Sequence, residues 1–136
     1  MKISVKSDLK KLTKKLEGRT RAYVVEVMND LAERIVVDTP VDTGFLQNSW
    51  WASLDLPEAH PGAKEGVNGG RQALSVASVV FNDTKIGDTV YFLNGATYAR
   101  RIENGWSRQK APQGMVAVNV NEIDAISARV IARLKR

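Results

Sequence analysis

Between Leu9 and Val36 the apolar residues recur three and four positions apart: Leu9, Leu12, Leu16, then Tyr23, Val24, Val27, Met28, Leu31, Ile35 and Val36. This spacing places them along one side of an α-helix. Ser7 or Asp8 can cap its start, and Pro40, which disfavours helix at Thr39, ends it. At 1.5 Å per residue such a helix is roughly 45 Å long, more than the core of one small domain can cover. Gly18 and Thr20 interrupt the stripe at the point where the charge also changes. Residues 1–22 hold eight cations (Lys2, Lys6, Lys10, Lys11, Lys14, Lys15, Arg19 and Arg21) against Asp8 and Glu17. The basic first third is therefore expected to project, bend or form a separate helix, with 23–37 in the core. The domain division that follows is a basic helical extension over 1–22 and a single α+β domain over 23–136.

The remainder alternates helix and strand signals. Asp42-Thr43-Gly44 reads as a turn, and Phe45 to Leu54 as a strand with Trp50 and Trp51 on opposite faces. Residues 55–70, with Pro57, Pro61, Gly62, Gly66, Gly69 and Gly70, form the one long loop, expected to be flexible. Arg71 to Phe81 fits a short helix through Ala73, Val76, Ala77 and Val80, although Val76, Val79 and Val80 leave a strand open. Thr89 to Leu93 is the clearest strand, closed by Asn94-Gly95. Ala96 to Asn104 reads as a helix stopped by Gly105, Met115 to Val120 as a third strand, and the residues after a capping Asn121 as a final helix striped by Ile123, Ile126, Val130, Ile131 and Leu134. The expected fold is α+β: long N-terminal and C-terminal helices packed on a small mixed sheet of about three to four strands.

Few enzymatic chemistries survive the composition. Without cysteine there is no thiol nucleophile and no Cys-ligated metal, and His60 is the single histidine for any acid–base or triad arrangement. No phosphate-binding glycine loop is present. Asp38 and Asp42 are four apart, but Pro40 between them keeps them off a common helix face, and Asp42 is more simply a turn former. Glu103 beside Arg100 and Arg101 suits an ion pair as well as catalysis. No catalytic residue, metal or cofactor is expected. The asparagine of Asn82-Asp83-Thr84 reads as a turn residue, no apolar leader opens the chain, and nowhere do the roughly 20 apolar residues of a membrane span run together. An intracellular or intracellularly assembled protein without membrane contact is expected.

Three stretches carry a resemblance. They are Thr39-Pro40-Val41-Asp42-Thr43-Gly44-Phe45-Leu46-Gln47-Asn48-Ser49-Trp50, Tyr98-Ala99-Arg100-Arg101-Ile102-Glu103-Asn104-Gly105-Trp106-Ser107, and Gln109-Lys110-Ala111-Pro112-Gln113-Gly114-Met115-Val116. In this order they resemble the tail-completion or neck proteins of long-tailed bacteriophages, short relatives of the lambda minor tail protein Z. Phe45, where a basic residue is common, and the inserted Lys110 depart from that pattern. The resemblance implies a structural virion protein at the head–tail junction, assembled in the host cytoplasm, without catalysis and usually a ring of six subunits between tail tube and head connector.

The motif residues then have structural duties. Pro40 and Pro112 stop helices, Gly44, Gly105 and Gly114 permit turns, Asp42 and Thr43 satisfy backbone donors, and Asn48, Tyr98 and Glu103 are expected to share a polar cluster. Candidate partner contacts are Lys10, Lys11, Lys14 and Lys15 on the basic helix and the tryptophans Trp50, Trp51 and Trp106, of which at least one is expected at an interface. Packaged DNA is a further candidate neighbour. The alternative function is a nucleic-acid-binding module that holds phosphates with the N-terminal lysines.

Overall fold

The computed structural model of the chain describes residues 5–54 and 65–135. The longest element is one uninterrupted helix, α1 (Val5–Asp38). Neither Gly18 nor Thr20 breaks it, and a methyl group at Gly18 would meet nothing within 4 Å. Residues 9–22 are exposed throughout, and burial begins at Val25 and deepens at Ala32, Ile35 and Val36. The basic third thus projects as an arm in line with the core helix. Its root is fixed: the Arg21 guanidinium donates from Nε to the Thr84 carbonyl at 2.8 Å and from Nη2 to the Asn82 carbonyl. These carbonyls lie at and just beyond the end of α3 (Arg71–Asn82), which has no basic residue in its own last turn, so Arg21 supplies the cation that a helix C-terminus favours. The body therefore begins at Arg21, within the extension expected over 1–22.

The region expected as a strand from Phe45 splits in two. Phe45–Asn48 is a single helical turn, α2, and only Trp50–Leu54 is strand β1. Gly44 enters the turn at φ 87°, its carbonyl accepts the Asn48 N–H at 2.9 Å, and the Ser49 hydroxyl donates to the Phe45 carbonyl at 2.6 Å. This turn buries Leu46 and Gln47 together, which a strand, alternating its faces, could not do. β1 pairs antiparallel with β2 (Val90–Asn94), Trp50 opposite Asn94 and Leu54 opposite Val90.

Among the described residues the sheet has these two strands rather than three to four. The expected third strand is instead α5 (Ala117–Val120), a short helix whose leading N–H groups are capped by Glu103, a residue far away in sequence. Asn121 ends α5 instead of capping the last helix, α6 (Ile123–Leu134), which Glu122 precedes. α4 (Ala99–Glu103) begins three residues later than expected. Most of the expected loop, residues 55–64 with His60, lies outside the described residues.

The α+β class holds, with α1 as the common spine. α3 packs on β1 and on α1, while α6 lies along α1, where Arg133 bridges Glu26 and Asp30. One core cluster joins Ile35 and Val36 to Leu46, Trp50, Ala73, Ala96, Ala111 and Met115; a second joins Val25 and Ala32 to Ala52, Ala77 and Phe81. Phe92 belongs to both, stacked on Trp50 at 4.9 Å and tilted against Phe81 at 6.1 Å. No helix among the described residues is long and apolar enough to cross a membrane.

Candidate interaction surface

The motif residues gather where α1 ends. Thr39 is fully buried; its hydroxyl donates to the Ile35 carbonyl at 2.7 Å and accepts the Trp50 indole N–H at 2.9 Å. Gln47 donates to the Val36 carbonyl at 3.0 Å, so two side chains satisfy carbonyls that the helix end leaves over. Trp50 is consequently a core residue, 4% exposed, and its expected role in partner contact is corrected. A buried indole needs a partner for its N–H, and Thr39 provides one inside the monomer.

Beyond Pro40 the chain turns outward. Asp42 and Thr43 are exposed, and the Thr43 hydroxyl accepts the Phe45 N–H at 3.3 Å. Gly66 is bound on both sides of this turn: its N–H donates to the Thr43 carbonyl at 2.8 Å and its carbonyl accepts Asn48 Nδ2 at 3.0 Å. Gly44 is required for that approach, since a Cβ there would lie 2.0 Å from the Gly66 oxygen. The first motif is thus a clasp that grips the far end of the long connection after β1.

The second and third motifs form another clasp. Glu103 Oε2 accepts the N–H groups of Met115 and Val116 at 2.7 and 2.8 Å, and Oε1 that of Ala117 at 3.0 Å. Gly114 at φ 89° lets the chain pass so closely that a Cβ would lie 2.4 Å from the Glu103 carbonyl oxygen; at Gly105 it would lie 2.6 Å from that of exposed Pro112. Glu103 therefore holds a backbone loop, and the expected common polar cluster with Asn48 and Tyr98 gives way to separate duties. Partial burial pushes its carboxyl up, and the N–H groups of Ala117, Val116 and Met115 outweigh this and hold it below the ordinary glutamate range.

A lowered folded-state pKa contributes stability above the unfolded value, and this is lost as pH falls through the folded one. Glu103→Gln, which keeps the shape but removes the charge and one acceptor, is expected to cost about 1–3 kcal/mol at neutral pH. Urea titrations should show the gap between wild type and variant closing below the ordinary value of 4.5. A gap independent of pH would mean that the carboxylate charge is not what holds the loop.

On the outside, Tyr98 lies near both ends of the first clasp. Burial, then the charges of Asp42 and Glu65, push its phenol above its ordinary range. Beyond α4, Trp106 is 68% exposed, with the Arg101 guanidinium 5.1 Å over its ring. Trp51 is half-buried, and Lys10, Lys11, Lys14 and Lys15 are all exposed along the arm. Asp38 accepts from Asn119 Nδ2 at 2.8 Å, and among the described residues no group of three or more His, Asp or Glu is arranged to hold a metal ion. Thr39, Arg21, Arg101 and Asn94 escape sequence reading. Asn94 links β2 to α2 by donating to the Leu46 carbonyl at 2.9 Å. Only Thr39, by preceding a proline, carries a local signal. Comparison of the chain with protein-family models, curated proteins and solved structures gave no match.

Proposed function

We propose that this chain is a structural virion protein of a long-tailed phage, a tail-completion or neck component that joins the tail to the head connector as a ring, with six copies the expected number. It needs no catalysis or cofactor. The observation that carries the reading is the exposed pair of Trp106 and Arg101, displayed on a turn that the Glu103 clasp makes rigid. Tryptophan and arginine dominate protein interfaces, and a rigid display spares the ordering cost of binding. The second and third of the motif stretches that resemble tail-completion proteins are the ones that build this display.

A second reading rests on the four exposed arm lysines, which could meet phosphates. One experiment separates the two. In a phage whose genome encodes this chain, its removal is expected to leave DNA-filled heads and separate tails. Replacing Lys10, Lys11, Lys14 and Lys15 together by glutamine should have the same result if the arm grips a protein neighbour. Joined particles that eject DNA abnormally would place the arm against DNA. Infectious particles assembled without the chain would refute the joining role.

A further inference from the structure

Three leucines on the arm stand exposed. Leu9, Leu12 and Leu16 share one helix face and are 57%, 51% and 54% exposed, an unusual arrangement on a surface that otherwise has lysines to spare. The described residues of the arm's own body leave them exposed. α1 is one helix, its root is held by Arg21 at the end of α3, and Leu16 lies about 7.5 Å further out along the axis. Among the described residues the stripe is left open to another molecule.

Charge narrows the choice. Between residues 9 and 20 the arm holds Lys10, Lys11, Lys14, Lys15 and Arg19 against Glu17 alone. Two arms laid together would concentrate like charge, which favours a receiving surface that is apolar and poor in cations. The chain has such a surface. On α3, Val76 and Val79 are three residues apart and 54% and 70% exposed. From Gln72 to Thr84 there is no lysine or arginine, and the one charge is Asp83. Beside Val79 runs a groove of about 520 Å³ between α3 and β1, lined by Leu54, Val79, Val80 and Asp83 among others. Leucines can fill such a groove while flanking lysines approach the Asp83 carboxylate.

We infer that the Leu9, Leu12 and Leu16 stripe of one copy docks on the Val76 and Val79 face of a second copy. Donor and acceptor are different surfaces, so every copy gives one arm and receives one. Such head-to-tail contacts close into rings or run on as open chains. Only ring closure rests on the proposed virion role; the contact itself does not.

The test uses the purified full chain. Sedimentation of the wild type at physiological ionic strength should show concentration-dependent association beyond the 15.0 kDa monomer. Leu12→Gln with Leu16→Gln, or Val76→Gln with Val79→Gln, should each weaken it more than tenfold while circular dichroism keeps the helix content. Mixed together, the two variants should form a one-to-one pair, since one retains the face and the other the arm. Because the chain has no cysteine, a Leu12→Cys and Val79→Cys double variant provides an independent readout: a disulfide between positions 12 and 79 of different copies. A wild type that stays monomeric throughout, a face variant that still associates, or linkage mainly through position 12 of both copies would overturn the inference. Whether particles need the chain is measured separately, so the two readings fail independently.

Discussion

Trp50→Ala is expected to remove about 3–5 kcal/mol of stability, a large part of the roughly 5–15 kcal/mol that a domain of this size possesses. The indole is 4% exposed, stacked on Phe92 with an interplanar angle of 8°, and donates its N–H to Thr39. Truncation opens a cavity in the larger core cluster and leaves the Thr39 hydroxyl, 0% exposed, without that donor. Trp106→Ala should behave in the opposite way. Its ring is mostly in water with the Arg101 cation over one face, so a loss of about 0.5–1 kcal/mol is expected at most. Chemical denaturation of the two variants decides this, and similar losses would mean that Trp106 is as much a core residue as Trp50.

The second large effect belongs to the clasp glycines. Gly44→Ala and Gly114→Ala are each expected to cost about 2–4 kcal/mol, because strain at positive φ adds to a backbone collision that no side chain can relieve. At Gly44 the obstacle is the Gly66 carbonyl at 2.0 Å; at Gly114 it is the Glu103 carbonyl at 2.4 Å. Gly69→Ala is the control. It has a similar φ of 70° but nothing within 4 Å, so only the conformational cost of about 1 kcal/mol should remain. Gly18→Ala on the arm should instead stabilise the helix slightly, by about 0.5–1 kcal/mol. Equal shifts in midpoint at Gly44, Gly114 and Gly69 would show that the close approaches do not matter.

The two clasps show where function and fold meet. Each is built from motif residues and each has exposed groups beside it, Asp42 near Tyr98 in one case and Trp106 with Arg101 in the other. The loops themselves have little local preference for the shapes they take. Their geometry is imposed by carbonyls and N–H groups that would otherwise be left unpaired.

By itself the sequence determined the elements whose information is periodic and local. The three-and-four spacing from Leu9 to Val36 was enough for α1, the Val90-Tyr91-Phe92 run for β2, and the stripe from Ile123 to Leu134 for α6, because burying one face repeats at a helix or strand period, while Ala73 with Ala77 and Val80 favoured helix for α3 and still left a strand open. Tertiary structure alone decided the short elements. The alternating Met115 to Val120 reads as strand, yet Glu103, twelve residues before Met115, caps its N–H groups and makes it helix. Phe45 to Asn48 reads as the start of the β1 strand, yet it forms a helical turn in which Gln47 donates to the Val36 carbonyl. Trp50 and Trp51 look alike in the sequence, and only the packing against Phe92 and Thr39 sends the first into the core. A segment of four to six residues has too little intrinsic preference to resist one well-placed hydrogen-bond partner, and the sequence does not say which distant residue that partner will be.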